Sequence, residues 1–303
     1  MIIKVTTMNK PQLKTIAENA FFSMFRRKAD VCDIQETFYG WVVFLASGKS
    51  KIVVKFSREV GRIGKEVASL EQLRKIVSCP VPEIYLFGRE AGYDYIVLDW
   101  LDGVSAHQLP EDSKAVMTFR EDYTDILLAL HEHQHPQGFE LSNGQFSQHL
   151  GSAFDDWMGS VYHYLMSAGS PFSSRLKEKF ADLWDNRAKI LAPIAHESSS
   201  FVHDDCHIAN VLFDPTTFKV AGLLDPCDSG FKHRELDVIH LFDVRSDLHI
   251  AERYLEKSHL DDGFEERRHF FSLWDDAKHS RNMGWYNEQW LTNKFSLYES
   301  AIQ

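Results

Sequence analysis

A chain of 303 residues is long enough for one large domain or two ordinary ones, and 44% hydrophobic with 25% charged residues lies near the averages for globular proteins, which excludes a mainly disordered chain. The net charge of -11 argues against a protein built to grip nucleic acid, because affinity for a phosphate backbone comes from clustered lysine and arginine.

Leu13, Ile16, Ala17, Ala20, Phe21, Met24 and Phe25 recur at helical spacing behind Pro11, so an amphipathic helix is expected to open the chain. FYGWVVFLA and KIVVKFS, separated by SGKS, read as a β-hairpin. GRIGKEVASLEQLRKIV follows as a helix with Ile63, Val67, Leu70 and Leu73 on one face, and then EIYLFGRE and YDYIVLDW as further strands. From about Leu101 long helical patterns such as AVMTFREDYTDILLALHEH and RLKEKFADLWDNRAKILAPIA take over. One hairpin interrupts them, with SFV leading into HDDCHIAN, VLFD, the turn PTTF and KVAGLLD. The pattern predicts an α+β chain with a smaller β-rich N-terminal lobe carrying an antiparallel sheet over residues 1–100 and a larger, mainly helical lobe over 101–303.

The polar residues fit the needs of phosphoryl transfer: a carboxylate to orient the attacking hydroxyl, oxygen ligands for Mg²⁺, and a cation for the ATP phosphates. In FVHDDCHIANVLFD, Asp205 and, five residues later, Asn210 let one loop aim a base at the acceptor and an amide oxygen at a metal, with His203 just ahead of them. The hairpin that follows can bring back Asp225, directly after the apolar VAGLL, as a second metal ligand. Lys55 lies inside the apolar run IVVKF, where a charge is costly unless paired, and Glu66 on the next helix is its expected partner. Arg58, Arg62 and Lys65 read as a solvated helix face.

HDDCHIANVLFD resembles the HGDxHxxN loop of the aminoglycoside phosphotransferase superfamily, and LLDP resembles its metal-binding aspartate motif. Within that superfamily the chain looks most like the fructosamine kinase group, through KEVASLEQL, LLALHEHQHPQGFE and LLDPCDSGFKHRELDVIHLF, with similarity over about residues 40 to 290. The resemblance implies a bilobal, protein-kinase-like fold and transfer of phosphate from ATP, with Mg²⁺, to a hydroxyl of a small molecule such as a fructosamine, ketoamine or related sugar-like metabolite. It also implies Asp205 as catalytic base, Asn210 and Asp225 as magnesium ligands, and Lys55 with Glu66 as the pair that holds the phosphates. In VLDWLDG it implies a hinge where backbone groups of Asp99 and Leu101 read the adenine beside Trp100. Three departures stand out: Asp204 replaces the usual glycine, His207 replaces a tryptophan, and Asp228 and Ser229 follow an apparent one-residue insertion after Asp225.

Two rival readings fit parts of the same pattern. His203 and Asp204 form an HD pair of the sort used by metal phosphohydrolases, although strand-like runs flank it where a helix is wanted; a catalytically degenerate kinase-like binding or regulatory protein is the other. His131, His133 and His135 read as a helix-end cluster without catalytic duty, and Glu235 and Asp237 as braces of the catalytic loop. No apolar run approaches the roughly 18 residues that span a bilayer, and MIIKVTTMNKPQLK lacks the apolar stretch of a secretion signal. Cys32, Cys79, Cys206 and Cys227 form no CxxC pair, so reduced thiols in the cytoplasm are expected, with redox regulation through Cys206 or Cys227 a minor alternative.

Overall fold

The computed structural model describes residues 10–226 and 228–303, so the first nine residues, most of the segment read as lacking a secretion signal, and Cys227 lie outside the described residues. The chain divides into two compact units, residues 1–103 with 221–228 and residues 104–220 with 229–303.

In the first unit, α1 (Lys10–Phe25) opens with Pro11 in its first turn, where a missing N–H costs nothing. Its stripe of Leu13, Ile16, Ala17, Ala20 and Phe21 packs with Trp41, Val43, Leu45, Ile52, Val54, Phe56 and Val97 on one face of a five-stranded sheet. The strands are β1 (Asp30–Glu36), β2 (Gly40–Ser47), β3 (Ser50–Ser57), β4 (Ile84–Glu90) and β5 (Tyr93–Asp99), ordered β1-β2-β3-β5-β4 with every neighbouring pair antiparallel. The expected hairpin is β2–β3. Gly40 is required in it, because a Cβ there would stand 1.7 Å from the Phe56 carbonyl oxygen. Strand β1 is an addition to the expectation; DVCDIQE is a largely exposed edge whose acidic residues discourage further pairing. Helix α2 (Arg62–Ile76) buries Ile63, Val67, Leu70 and Leu73, together with the carboxylate of Glu66.

The second unit is built on α3 (Ser113–His131), α4 (Leu150–Met166), α5 (Ser174–Leu191), α8 (Phe264–Met283) and α9 (Glu288–Ala301), with the short α6 (Glu235–Val238) and α7 (Ile250–Lys257) between them. The Asp112 carboxylate caps α3 by accepting from the Lys114 and Ala115 N–H groups at 3.0 Å. The core is aromatic: Phe154 meets Phe270 at 5.1 Å, Phe180 meets Trp274 at 5.5 Å, and Tyr162 stacks on Trp184 at 4.7 Å. Short strands β6 (Val104–Ser105), β7 (Phe139–Glu140), β8 (Phe146–Ser147), β9 (Ser200–Val202), β10 (Val211–Phe213) and β12 (Gly230–Lys232) pair as β6–β10, β7–β8 and β9–β12, more strand structure than the one expected hairpin. The segment β11 (Val220–Leu223) leads into Asp225, and the Leu223 N–H donates to the Pro80 carbonyl at 3.0 Å, which ties this return to the first unit. The α+β class is as expected, and no helix among the described residues is long and apolar enough to cross a membrane.

Candidate active site

Because β3 places Ile52, Val54 and Phe56 under α1, strand alternation turns Val53 and Lys55 to the opposite face. There Lys55 donates from Nζ to Glu66 Oε1 at 2.6 Å and also to Asp225 Oδ1. The expected lysine–glutamate pair is thus present, and Asp225 joins it. Burial pulls the Lys55 ammonium toward neutrality, but the carboxylates of Asp225 and Glu66 outweigh it and its pKa lies above the ordinary lysine value. The two acids differ in access: the Glu66 side chain is 7% exposed and that of Asp225 49%. Glu66 anchors the lysine from within, while the Asp225 side chain is half-exposed.

Beside Lys55, Val42 and Phe44 on β2 pair across the sheet with Lys55 and Val53, giving a half-buried apolar surface beyond the expected site residues. Its signal was present in the alternation of YGWVVFLA. At the end of β5 Trp100 meets Phe44 edge-on at 5.2 Å, and the Lys51 ammonium, bonded to Asp102 at 2.6 Å, lies 5.7 Å above the Trp100 ring. The Asp99 N–H donates to the Glu83 carbonyl at 3.0 Å and its carboxylate, whose pKa burial raises, accepts from the Glu83 N–H. Those two groups of Asp99 therefore secure the β4–β5 junction, and Leu101 follows half-buried. Arg58 and Arg62 are only partly a solvated helix face: Arg58 is exposed but precedes α2 and lays its guanidinium 4.1 Å over Trp41, Arg62 is half-buried with its guanidinium 3.2 Å over Tyr39, and Lys65 is exposed on the helix.

In the second unit the loop after β9 is held from beneath by Asp237. Its carboxylate, wholly buried, accepts from the His203 N–H at 2.8 Å, the Asp204 N–H at 2.7 Å and His131 Nε2 at 3.0 Å. Burial alone would raise its pKa; the bond from His131 and the charge around it hold it at about 2. A carboxylate can only accept, so His131 Nε2 carries a proton, while its Nδ1 lies in hydrogen-bond contact with the Tyr254 hydroxyl at 2.7 Å. The expected brace is Asp237 alone. Glu235, two residues away and so on another side of α6, instead receives Arg267 through both oxygens at 2.8 and 2.7 Å. The histidine cluster is also corrected, since α3 ends at His131; His135 lies past the helix with its ring 3.8 Å above Phe146. Cys206 donates to the Asp237 carbonyl at 3.1 Å, and burial followed by the nearby Asp237 and Asp205 carboxylates pushes its thiol well up, the opposite of a reactive cysteine.

Asp205 and Asn210 come together as expected. Asn210 Nδ2 donates to the Asp205 carbonyl at 2.8 Å and to Asp205 Oδ2 at 2.9 Å, which leaves the amide oxygen directed elsewhere. His207 caps the short turn by accepting the Ala209 N–H on Nδ1 at 3.2 Å, so its Nε2 carries the proton that faces Asp205 Oδ1 at 3.3 Å. The HD reading fails on Asp204, whose carboxylate is taken by Lys232 at 2.8 Å and Lys278 at 3.3 Å and is not available to a metal. Taken singly, the Asp225 carboxylate in the first unit and the Asn210 amide in the second each carry the kind of oxygen that a hard cation prefers.

His240, bonded through Nδ1 to Asp243 at 3.3 Å, gives a pH-dependent signature. Burial lowers its pKa, but the Asp243 bond and the fields of Asp275, Asp243 and Asp205 raise it from 6.5 to about 9. The charged form is favoured on folding, so its contribution is full below pH 6.5 and is lost as pH rises through about 9. Urea midpoints of the wild type should fall across that window, and His240→Gln should flatten the fall; parallel curves would remove His240 as its source.

An antiparallel sheet whose third strand carries a lysine tied to a helix glutamate, followed by a helical unit with an aspartate–asparagine loop, is a protein-kinase-like fold. The chain belongs to the phosphotransferase enzyme family, whose sequence model matches residues 38–270. Membership makes it a phosphotransferase of small molecules. Among solved structures it is similar to a protein provisionally assigned as a fructosamine-3-kinase from Haemophilus somnus 129PT, at TM-score 0.71 and 17% identity over 95% of this chain and 97% of that one. A wild-type aminoglycoside 2'-phosphotransferase bound to GDP matches at TM-score 0.65 and 14% identity over 97% and 98%. A thermostable aminoglycoside phosphotransferase in ternary complex with AMP-PNP and hygromycin B matches at TM-score 0.65 and 18% identity over 94% of each chain. No curated protein matches the chain significantly in sequence.

Proposed function

We propose that the protein transfers the terminal phosphate of ATP, with Mg²⁺, to a hydroxyl of a sugar-like metabolite of the ketoamine class, in the cytoplasm. The observation that carries this reading is Lys55, an ammonium held within a β-strand by one buried and one half-exposed carboxylate. In this reading Lys55, steadied by Glu66, meets the phosphates; Asp99, Trp100 and Leu101 at the end of β5 take the adenine, which Val42, Phe44 and Val53 cover. The Asn210 amide oxygen and Asp225 would hold the magnesium ion, which supplies neutralisation of phosphate charge when bound. Asp205, 40% exposed and steadied by Asn210 and His207, receives the proton of the acceptor hydroxyl, and His203 keeps the loop on Asp237 through its N–H.

The similarity to the fructosamine-3-kinase structure supports a ketoamine acceptor. The test is a screen of metabolite pools with terminally labelled ATP and Mg²⁺, run in parallel with wild type and Asp205→Ala so that contaminating kinases cancel. A labelled sugar-like product made by wild type alone is expected; label in neither, or equally in both, contradicts the proposal.

A further inference from the structure

In the loop motif that this sequence resembles, glycine follows the histidine, and the backbone explains why: residue 204 has φ 61, in the left-handed region. Here that position holds Asp204, one of the less costly side-chain residues for it, yet still strained. The residue is only 8% exposed, so the chain accepts a buried charge as well as backbone strain next to its candidate base. What offsets both is a convergence of cations. Lys232 Nζ stands 2.8 Å and Lys278 Nζ 3.3 Å from the same oxygen, Asp204 Oδ2.

These lysines come from separate elements. Lys232 ends β12, and it pairs in register with Ser200 on β9, the strand that launches the loop. Lys278 lies on α8, where Asp275 receives it at 2.9 Å and is itself held by His279 Nδ1 at 3.2 Å. One carboxylate therefore ties the loop to β12 and to α8 at a point one residue from Asp205. Asp237 fixes the same loop through the backbone from beneath; Asp204 fixes it through a side chain from another direction.

Resting on the phosphotransfer reading, we propose that Asp204 is a positioning residue: clamped by Lys232 and Lys278, it sets the peptide that aims the Asp205 carboxylate at the acceptor hydroxyl. In this chain an ionic clamp replaces the freedom that a glycine gives.

The test uses the full chain as Asp204→Asn, which tolerates the left-handed backbone and keeps the shape, with Lys232→Met, Lys278→Met and the Asp204→Asn/Lys232→Met double variant. Three quantities are read: the Tm, the Mg-ATP dissociation constant, and phosphate release from saturating Mg-ATP with water as acceptor. Each single variant should slow release roughly 10- to 100-fold with Mg-ATP affinity nearly unchanged, and the double should be no slower than its slower single, since both act through one clamp. Backbone hydrogen exchange over residues 203–206 should rise in all of them, a readout independent of turnover. Wild-type rates and wild-type exchange in Asp204→Asn overturn the proposal alone. Slow Asp204→Asn beside lysine variants at full rate would give Asp204 a direct role and also overturn it. A wild type that does not bind Mg-ATP would overturn the phosphotransfer reading beneath it.

Discussion

Asp205→Ala is expected to slow phosphate transfer by roughly 10²- to 10⁴-fold, the range for loss of a general base, while Mg-ATP affinity stays nearly the same. The split follows from what Asp205 touches. Its carboxylate meets Asn210 Nδ2 and His207 Nε2, and 40% of its side chain is open to solution. In the proposed function, removing it takes away the group that would receive the acceptor proton. It does not release Asn210, whose amide still donates to the Asp205 backbone carbonyl at 2.8 Å and so keeps its oxygen where a metal would find it. Single-turnover rates and titration calorimetry on the two proteins check both halves. An unaltered rate would remove Asp205 from its role, and lost affinity would recast it as a nucleotide-binding residue.

The second large effect is on stability. Asp237→Ala should cost about 3–5 kcal/mol, the scale for removing one partner of a buried charged network. It strands the N–H groups of His203 and Asp204 and the Nε2 proton of His131 in a dry interior. The sign of the pH effect follows from the depressed pKa. The Asp237 contribution is full above pH 3.8 and is lost as pH falls through about 2, so the variant's deficit should shrink in acid. Denaturant titrations at neutral pH and near pH 3 measure this. An equal deficit at both would assign the loss to packing, and no deficit would mean that the loop is held by other contacts.

Local patterns made part of this architecture legible. The helical stripe of α1, the β2–β3 hairpin and the Lys55–Glu66 pair each follow from periodicity plus the cost of a charge inside an apolar strand. Asp205 and Asn210 could be read because they lie five positions apart in one loop. The rest depended on contacts that no local pattern encodes. Lys232 and Lys278 reach Asp204 from 28 and 74 positions away, and neither residue is unusual in its own segment. Glu235 and Asp237 look alike in HRELD, yet a spacing of two residues, roughly half a helical turn, sends the first to Arg267 and the second to the loop after β9. Strands of two or three residues, such as β6 and β12, are too short to show an alternation, and acidic β1 hides its strand character behind residues suited to an exposed edge.

The most direct test of the whole account is a calorimetric titration of the protein with ATP in the presence of Mg²⁺, on wild type and on Lys55→Met. Saturable one-site binding is expected for wild type, with affinity lowered roughly 10- to 100-fold by loss of a charge-assisted contact in the variant, and with little binding when Mg²⁺ is chelated. A wild type that takes up no nucleotide, or a folded Lys55→Met that binds it as tightly as wild type, would contradict the claim that this lysine and its two carboxylates form a triphosphate site.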